Sequence, residues 1–245
     1  VCGRYVQVSS PTLLAEQFDV DEIAITEAPE ANYNVAPRTE VLTIVQRQPA
    51  EPDADSPARR VLGQMRWGLV PSWAKDPKVG DRLINARAES VAEKPAFKTA
   101  FLKRRCILPA DGFYEWQAVP GRKQKQPMFV HRRDGEPLAF AGLWEVWRNQ
   151  PETPWLLSCT IVTTRANATM APVHDRMPVV LPEDAWDTWL DRSLTDRARL
   201  EELLVPPPDE LIELWPVSTM VNSANNNGPE LAERVEPEEP QTLFS

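Results

Sequence analysis

The sequence predicts an α+β fold: a single domain rich in antiparallel sheet, with a curved, barrel-like core and peripheral helices. Three observations carry this. Alternating apolar segments recur along the middle of the chain. An Asp134-Gly135 dipeptide, which tolerates the positive φ of a tight hairpin turn, separates two of them. Short helical patterns are inserted among strands joined by hairpins.

In chain order, residues 11–19 read as a short helix, with Ser10 as cap and Pro11 in the first turn. Residues 41–47 and 61–67 alternate like strands, and the polar, Pro-rich stretch 48–58 joins them as a long-looped antiparallel pair. Residues 127–133 and 137–145 flank Asp134-Gly135 as a hairpin. Residues 156–164 and 178–181 add strands, 183–190 and 195–204 add helices, and Trp215 to Ser218 adds one more strand. No internal repeat or linker interrupts the motif-bearing segments. One domain over 1–228 is therefore expected, followed by a loosely held, acidic and Pro-rich tail at 229–245.

Composition narrows the function. The chain has 245 residues, nine tryptophans, 25 prolines and three cysteines without CxxC spacing. An odd cysteine count without a signal peptide points to a reducing cytoplasm rather than a disulfide framework. Two histidines leave little for a zinc site, so no metal is expected, and no apolar run approaches a membrane span. The net charge of −9 conceals an uneven distribution. Between Arg59 and Arg133 there are 17 Lys/Arg against 6 Asp/Glu, whereas the rest carries 10 against 30. A basic middle in an acidic frame fits either one anion-binding face or an ordinary solvated surface.

Four segments are polar where a core segment should be apolar: Cys2-Gly3-Arg4; Asn34-Val35-Ala36-Pro37; Trp67 to Trp73 running on to Asn85-Ala86-Arg87; and Asp111 to Trp116, joined later by His174-Asp175-Arg176. Glu115 lies between Tyr114 and Trp116. An apolar setting fits a carboxyl for proton transfer, although an alternating strand also places a glutamate on its polar side. His174 is one of two histidines, and histidine exchanges protons near working pH. His131 reads as a surface residue of its strand. Asn85 either holds a hydroxyl or amine or serves as a turn residue. Arg4, Arg87 and Arg176 accompany these segments, and arginine pairs with phosphate through its planar fork. Trp67 reads as core, whereas Trp73 fits either the core or a base-stacking platform.

Cys2 carries the most specific chemistry. Val1 is read as a GTG-encoded initiator that is removed, which leaves a free 1,2-aminothiol. Its amine titrates near ~8 and its thiol near ~8.5. The amine condenses with an aldehyde to an imine, and the thiol closes on the imine carbon to give a thiazolidine. An internal cysteine, its nitrogen tied up as an amide, cannot do this.

CGR at 2–4, YNVAP at 33–37, WGLVPSW at 67–73, INARAE at 84–89, RRCILPADGFYEW at 104–116, FAGLWE at 140–145 and HDRMPVVL at 174–181 together resemble the SRAP (SOS response-associated peptidase) family of abasic-site processing proteins. The resemblance implies capture of an abasic site in single-stranded DNA as a covalent thiazolidine crosslink on Cys2. It places catalytic roles on Cys2, Asn85, Glu115 and His174. Strand contacts fall on Arg4, Asn34, Pro37, Trp73, Arg87, Thr163 and Arg176. It implies no cofactor, a monomer acting on DNA in the cytoplasm with the nucleoid, incidental β-elimination (lyase) activity and auto-peptidase removal of the initiator. Some relatives carry a second aromatic after the position of Trp73, where this chain has Ala74. Two other readings are a cysteine peptidase and a non-catalytic single-strand binder.

Overall fold

A computed structural model of the chain describes residues 2–47 and 58–236. Expectations about Val1 and about nearly all of the 48–58 loop fall outside those residues. The strands in chain order are β1 (Arg4–Gln7), β2 (Glu22–Ile23), β3 (Asn32–Val35), β4 (Glu40–Arg47), β5 (Arg59–Trp67), β6 (Asn85–Arg87), β7 (Arg105–Ala110), β8 (Gly112–Gln117), β9 (Gln126–Arg132), β10 (Leu138–Trp147), β11 (Leu156–Arg165), β12 (Arg176–Pro178) and β13 (Ile212–Pro216). The α-helices are α1 (Pro11–Gln17), α2 (Lys98–Lys103), α3 (Trp186–Leu190) and α4 (Arg197–Glu201).

Strands β11, β10, β7, β4 and β5 pair in that order, and β5 returns to pair with β11 in parallel at Cys159↔Trp67. That last pairing closes a five-stranded barrel, with β12, β6 and β2 at its margins. The expected antiparallel pair is β4 with β5, in register at Val41↔Met65 and Val45↔Val61. A second sheet of five strands, β13-β9-β8-β1-β3, covers one side. The side chains between the sheets form one apolar cluster that includes Cys2, Tyr5, Trp67, Phe113, Phe140 and Met177. A second cluster outside the barrel seats the helices through Leu14, Phe101, Trp186 and Trp189. Each such side chain contributes roughly 1.5–3 kcal/mol by leaving water.

The short helices form where the sequence supplies caps. Ser10 accepts a hydrogen bond from the Leu13 amide at 3.2 Å, and Pro11 begins α1 without wasting a donor. The segment expected to be helical at 183–190 is a 3₁₀ turn running into α3, and α4 lies within 195–204.

The hairpin expected at Asp134-Gly135 is corrected by the structure. The turn exists: Gly135 has φ 82°, and its amide donates to the Arg132 carbonyl at 3.1 Å. The flanking strands nevertheless join different sheets, β9 with β8 and β13, β10 with β7 and β11. Local turn chemistry reverses the chain, but both strands have long buried runs that need partners on each side. Pro137 also has no amide to offer a ladder with β9.

Two strand bounds shift. The segment expected at 178–181 pairs at 176–178 and touches β10 again at Phe140↔Val180. The one expected at 215–218 is β13, with Val217 bridging Arg234. Beyond Gly228 the chain is held as far as 236. Leu231 is fully buried, and the Val235 amide donates to the Pro216 carbonyl at 2.9 Å. Residues 237–245 lie outside the described residues.

Candidate active site and strand-binding face

Cys2 stands at the head of β1, the strand between β3 and β8 in the covering sheet. The antiparallel register Arg4↔Tyr114 brings Glu115 to the head of β1. Alternation along β8 sends Phe113 and Glu115 inward and Tyr114 to the opposite side. Glu115 is therefore buried rather than on a solvated strand face, and its Oε2 accepts the Cys2 N–H at 2.9 Å. From the barrel side Asn85, the first residue of β6, donates its Nδ2 to the Cys2 carbonyl at 3.2 Å. The backbone of Cys2 is thus gripped at both ends, once from each sheet. Its φ of 31° is unusual for a residue with a side chain and costs on the order of 1–3 kcal/mol.

The Cys2 thiol is fully buried. Burial, and then the Glu115 charge, push it far above its ordinary value. Cys106 and Cys159 are also free and buried, and burial is likewise the main cause that pushes their thiols up.

His174 closes the turn that precedes β12. Its neighbours Met170 and Val173 belong to the same buried cluster as Cys2. Its Nδ1 lies 3.0 Å from the Arg176 amide and 2.8 Å from Asp175 Oδ1. These contacts exclude one another: Nδ1 accepts the amide when bare and donates to Asp175 when protonated. His131 is corrected from surface residue to partly buried. Its ring stacks on Phe129 at 5.5 Å and meets Trp215 edge-on, and Nε2 lies 3.2 Å from Glu213.

Strand β11 orders the remaining residues. Asn85 sits at the level of Ile161, Arg87 at Thr163, and Arg176 opposite Arg165. Arg87 is exposed. Arg176 is engaged: Glu89 takes it bidentately at 2.9 and 3.0 Å, and the Thr163 carbonyl accepts from it at 2.7 Å. Thr163 itself is buried. Glu89, within the INARAE motif but given no role by the sequence reading, is thereby the partner that fixes Arg176.

Arg4 and Asn34 form a second group. Arg4 Nη1 donates to Asn34 Oδ1 at 2.8 Å and to the Val221 carbonyl at 3.1 Å. Asn34 Nδ2 reaches the carbonyls of Ser223 and Asn226 at 2.8 and 3.0 Å. The segment 219–227 is therefore clasped against β1 and β3. Sequence reasoning missed it; the asparagine run at 225–227 was the available signal. Pro37 is partly buried, next to Arg38 with its φ of 76°.

The turn after β5 carries Trp73 outward. Trp67 is fully buried, with its indole N–H on the Ile84 carbonyl at 2.9 Å. Gly68 then takes φ 125° and passes so close to Gly80 that a Cβ would stand 2.7 Å from the Gly80 carbonyl oxygen. Farther along this turn, Trp73 is 62% exposed. Ala74 points the other way, packed with Val70 and Trp147, and its carbonyl accepts the Trp147 indole N–H at 2.7 Å. A larger side chain there would have to displace that packing.

Much of the basic middle is consumed internally. Arg60, Arg66, Arg104 and Arg132 pair with acidic side chains, and Arg105 is buried against the carbonyls of Phe101, Trp189, Asp191 and Leu194. Lys75, Lys78, Arg82 and Arg87 stay exposed, so part of the basic middle remains on the surface. Among the described residues no group of three or more His, Cys, Asp or Glu side chains could hold a metal ion. No helix among them is long and apolar enough to cross a membrane.

A closed barrel faced by a second sheet, with a cysteine at the head of β1 gripped by a buried carboxylate and an amide, defines the class of protein. The family model for SOS response associated peptidase (SRAP) matches residues 1–224, and the chain belongs to that family. It is 43% identical over 233 residues to the abasic site processing protein YoqW of Bacillus subtilis, spanning 95% of this chain and 99% of that one. It is 35% identical to the abasic site processing protein HMCES of Rattus norvegicus, over 81% of this chain and 64% of that one. A solved protein from Bacteroides thetaiotaomicron shares the fold, with TM-score 0.81 at 22% identity, over 96% of this chain and all of that one. A solved phage-related protein from Bordetella bronchiseptica gives TM-score 0.64 at 32% identity, over 88% of this chain and 94% of that one.

Proposed function

We propose that this protein processes abasic sites in single-stranded DNA by covalent capture on Cys2. The observation that carries the reading is the Cys2 N–H held at 2.9 Å by buried Glu115, with Asn85 on the same residue's carbonyl. Loss of residue 1 turns the Cys2 nitrogen into an α-amine in that position. Glu115 accepts an amine proton, and the amine adds to the C1′ aldehyde of the ring-opened abasic sugar. Loss of water gives the imine. The thiol then adds to the imine carbon, its proton passes to the nitrogen, and the thiazolidine closes with one water released overall. A thiol kept protonated by burial and by Glu115 makes the amine the first nucleophile and the sulfur the second. An imine that persists permits β-elimination, so ring closure protects the strand from scission. His174, on the turn before β12, is assigned to opening and closing of the sugar ring in this reading.

The same geometry favours a cis-acting peptidase step. Glu115 faces the amide that joins residue 1 to Cys2; water adding to that carbonyl frees residue 1 as its carboxylate, the proton passes to the Cys2 nitrogen, and the backbone strain at the φ of Cys2 is relieved.

The test is a denaturing gel of the native protein with abasic single-stranded DNA. A heat-stable adduct is expected for wild type and none for Cys2→Ala. An adduct from Cys2→Ala would place the nucleophile elsewhere, and equal noncovalent binding without any adduct would favour a passive binder.

A further inference from the structure

The tip of the β10–β11 hairpin carries a tryptophan that the Cys2 chemistry does not use. Trp155 is 59% exposed, and the Arg148 guanidinium lies over its ring at 4.1 Å. The cation holds the indole flat and leaves its other face to solvent. Its setting ties it to Trp73. Trp147 and Leu156 pair across the hairpin and pack with Val70 and Ala74 in one cluster. Trp73 adjoins Ala74, and Trp155 adjoins Leu156. Two exposed indoles therefore flank one buried patch, with Lys75 and Arg148 exposed beside them.

Strand β11 also sets the distance from the chemistry. Asn85, which holds the Cys2 carbonyl, pairs at Ile161, six residues from Trp155. At ~3.3 Å per residue this is about 20 Å. Arg87 and Arg176 lie the other way along β11, at Thr163 and Arg165. The order along the strand is thus aromatic platform, capture site, arginines.

We infer that Trp155 and Arg148 form a second base-stacking subsite for single-stranded DNA, continuing the strand's path past Trp73 on one side of the captured nucleotide. A base stacks on the open face of the indole while Arg148 holds the other face and offers N–H donors to a phosphate. A gap of ~20 Å spans about six nucleotides at stacked spacing of ~3.4 Å, and fewer in an extended strand. The inference rests on the proposed single-strand function and adds polarity and footprint to it.

The experiment measures fluorescence anisotropy of the full chain with intact single strands of about 20 nucleotides. Crosslinking to abasic strands of the same length is followed alongside. Trp155→Ala is expected to weaken binding by roughly 5- to 150-fold, the range for loss of one base–aromatic stack, and Trp155→Phe to restore most of it. With the abasic site placed about two nucleotides from one particular end, the wild-type-to-variant ratio should fall toward one; moving it toward the other end should preserve the ratio. If wild type binds and crosslinks but Trp155→Ala binds long strands equally well, this subsite is refuted, and a protein-binding role for the indole is favoured. If wild type neither binds nor crosslinks single strands, the function itself fails along with the subsite.

Discussion

Replacing Glu115 with glutamine tests the centre of the site, because the structure gives that carboxylate two opposing effects. It takes the Cys2 N–H at 2.9 Å, the position from which the proposed mechanism has it accept the amine proton. It is also the second cause, after burial, of the raised Cys2 thiol. Glutamine keeps the shape and a carbonyl oxygen at the same distance but cannot take a proton. Crosslink formation should slow by about 10²–10⁴-fold, the usual worth of a general base, or roughly 3–5 kcal/mol of barrier. The thiol should become more acidic with the charge gone, yet stay above its ordinary value because burial, the larger cause, remains. Alkylation of Cys2 by iodoacetamide should therefore speed up while crosslinking slows. The assay is single turnover with protein in excess over abasic strand, quenched into denaturing gel, with thiol labelling read by mass spectrometry. Intact mass must first show that the variant has lost residue 1; otherwise the missing amine would itself explain the slow rate. With the amine exposed, a wild-type crosslinking rate would refute the assignment of Glu115 as base. Slowed labelling would refute its electrostatic effect on the thiol.

Other outcomes follow from the same geometry. His174→Gln keeps a side-chain acceptor near the Arg176 amide but cannot shuttle a proton, so crosslink reversal should slow at least as much as formation; unchanged rates in both directions would remove His174 from the chemistry. Arg87 is exposed and is proposed to meet one phosphate, so Arg87→Ala should lower the salt dependence of strand binding by about 0.7 in the log–log slope; an unchanged slope would put it off the DNA path. The three buried thiols are raised in the folded state, whereas each titrates near ~8.5 in the unfolded chain. Above that pH the unfolded chain gives up protons that the folded one keeps. The stabilisation is complete below ~8.5 and is lost as pH rises, by up to about 1.4 kcal/mol per pH unit for each thiol. Urea midpoints between pH 8 and 10 should fall accordingly, and less steeply in Cys106→Ala; a flat profile would contradict the burial of these groups.

The amino-acid sequence by itself determined the family and singled out Cys2 as the candidate nucleophile. A cysteine at position 2 is a statement about covalent chemistry, and seven ordered motifs are a statement about kinship; neither needs coordinates. It also determined the elements whose signals are local: α1 with its serine cap, the β4–β5 pair, and the turn at Asp134-Gly135. The tertiary structure decided what the turn joins, because partner choice for β9 and β10 depends on apolar faces contributed by strands far away in the chain. It placed the motif segments on strands β1, β3, β6, β7 and β8, where polar residues had obscured the alternation. It turned Arg176 from a free cation into one held by Glu89, and tied Arg4 and Asn34 to carbonyls near residue 222. The Cys2–Glu115 contact spans 113 positions of sequence. Spacing along a chain sets which residues share a face of one element, but a carboxylate meets a backbone N–H across neighbouring strands only after burial of the apolar core has fixed the strand order and register.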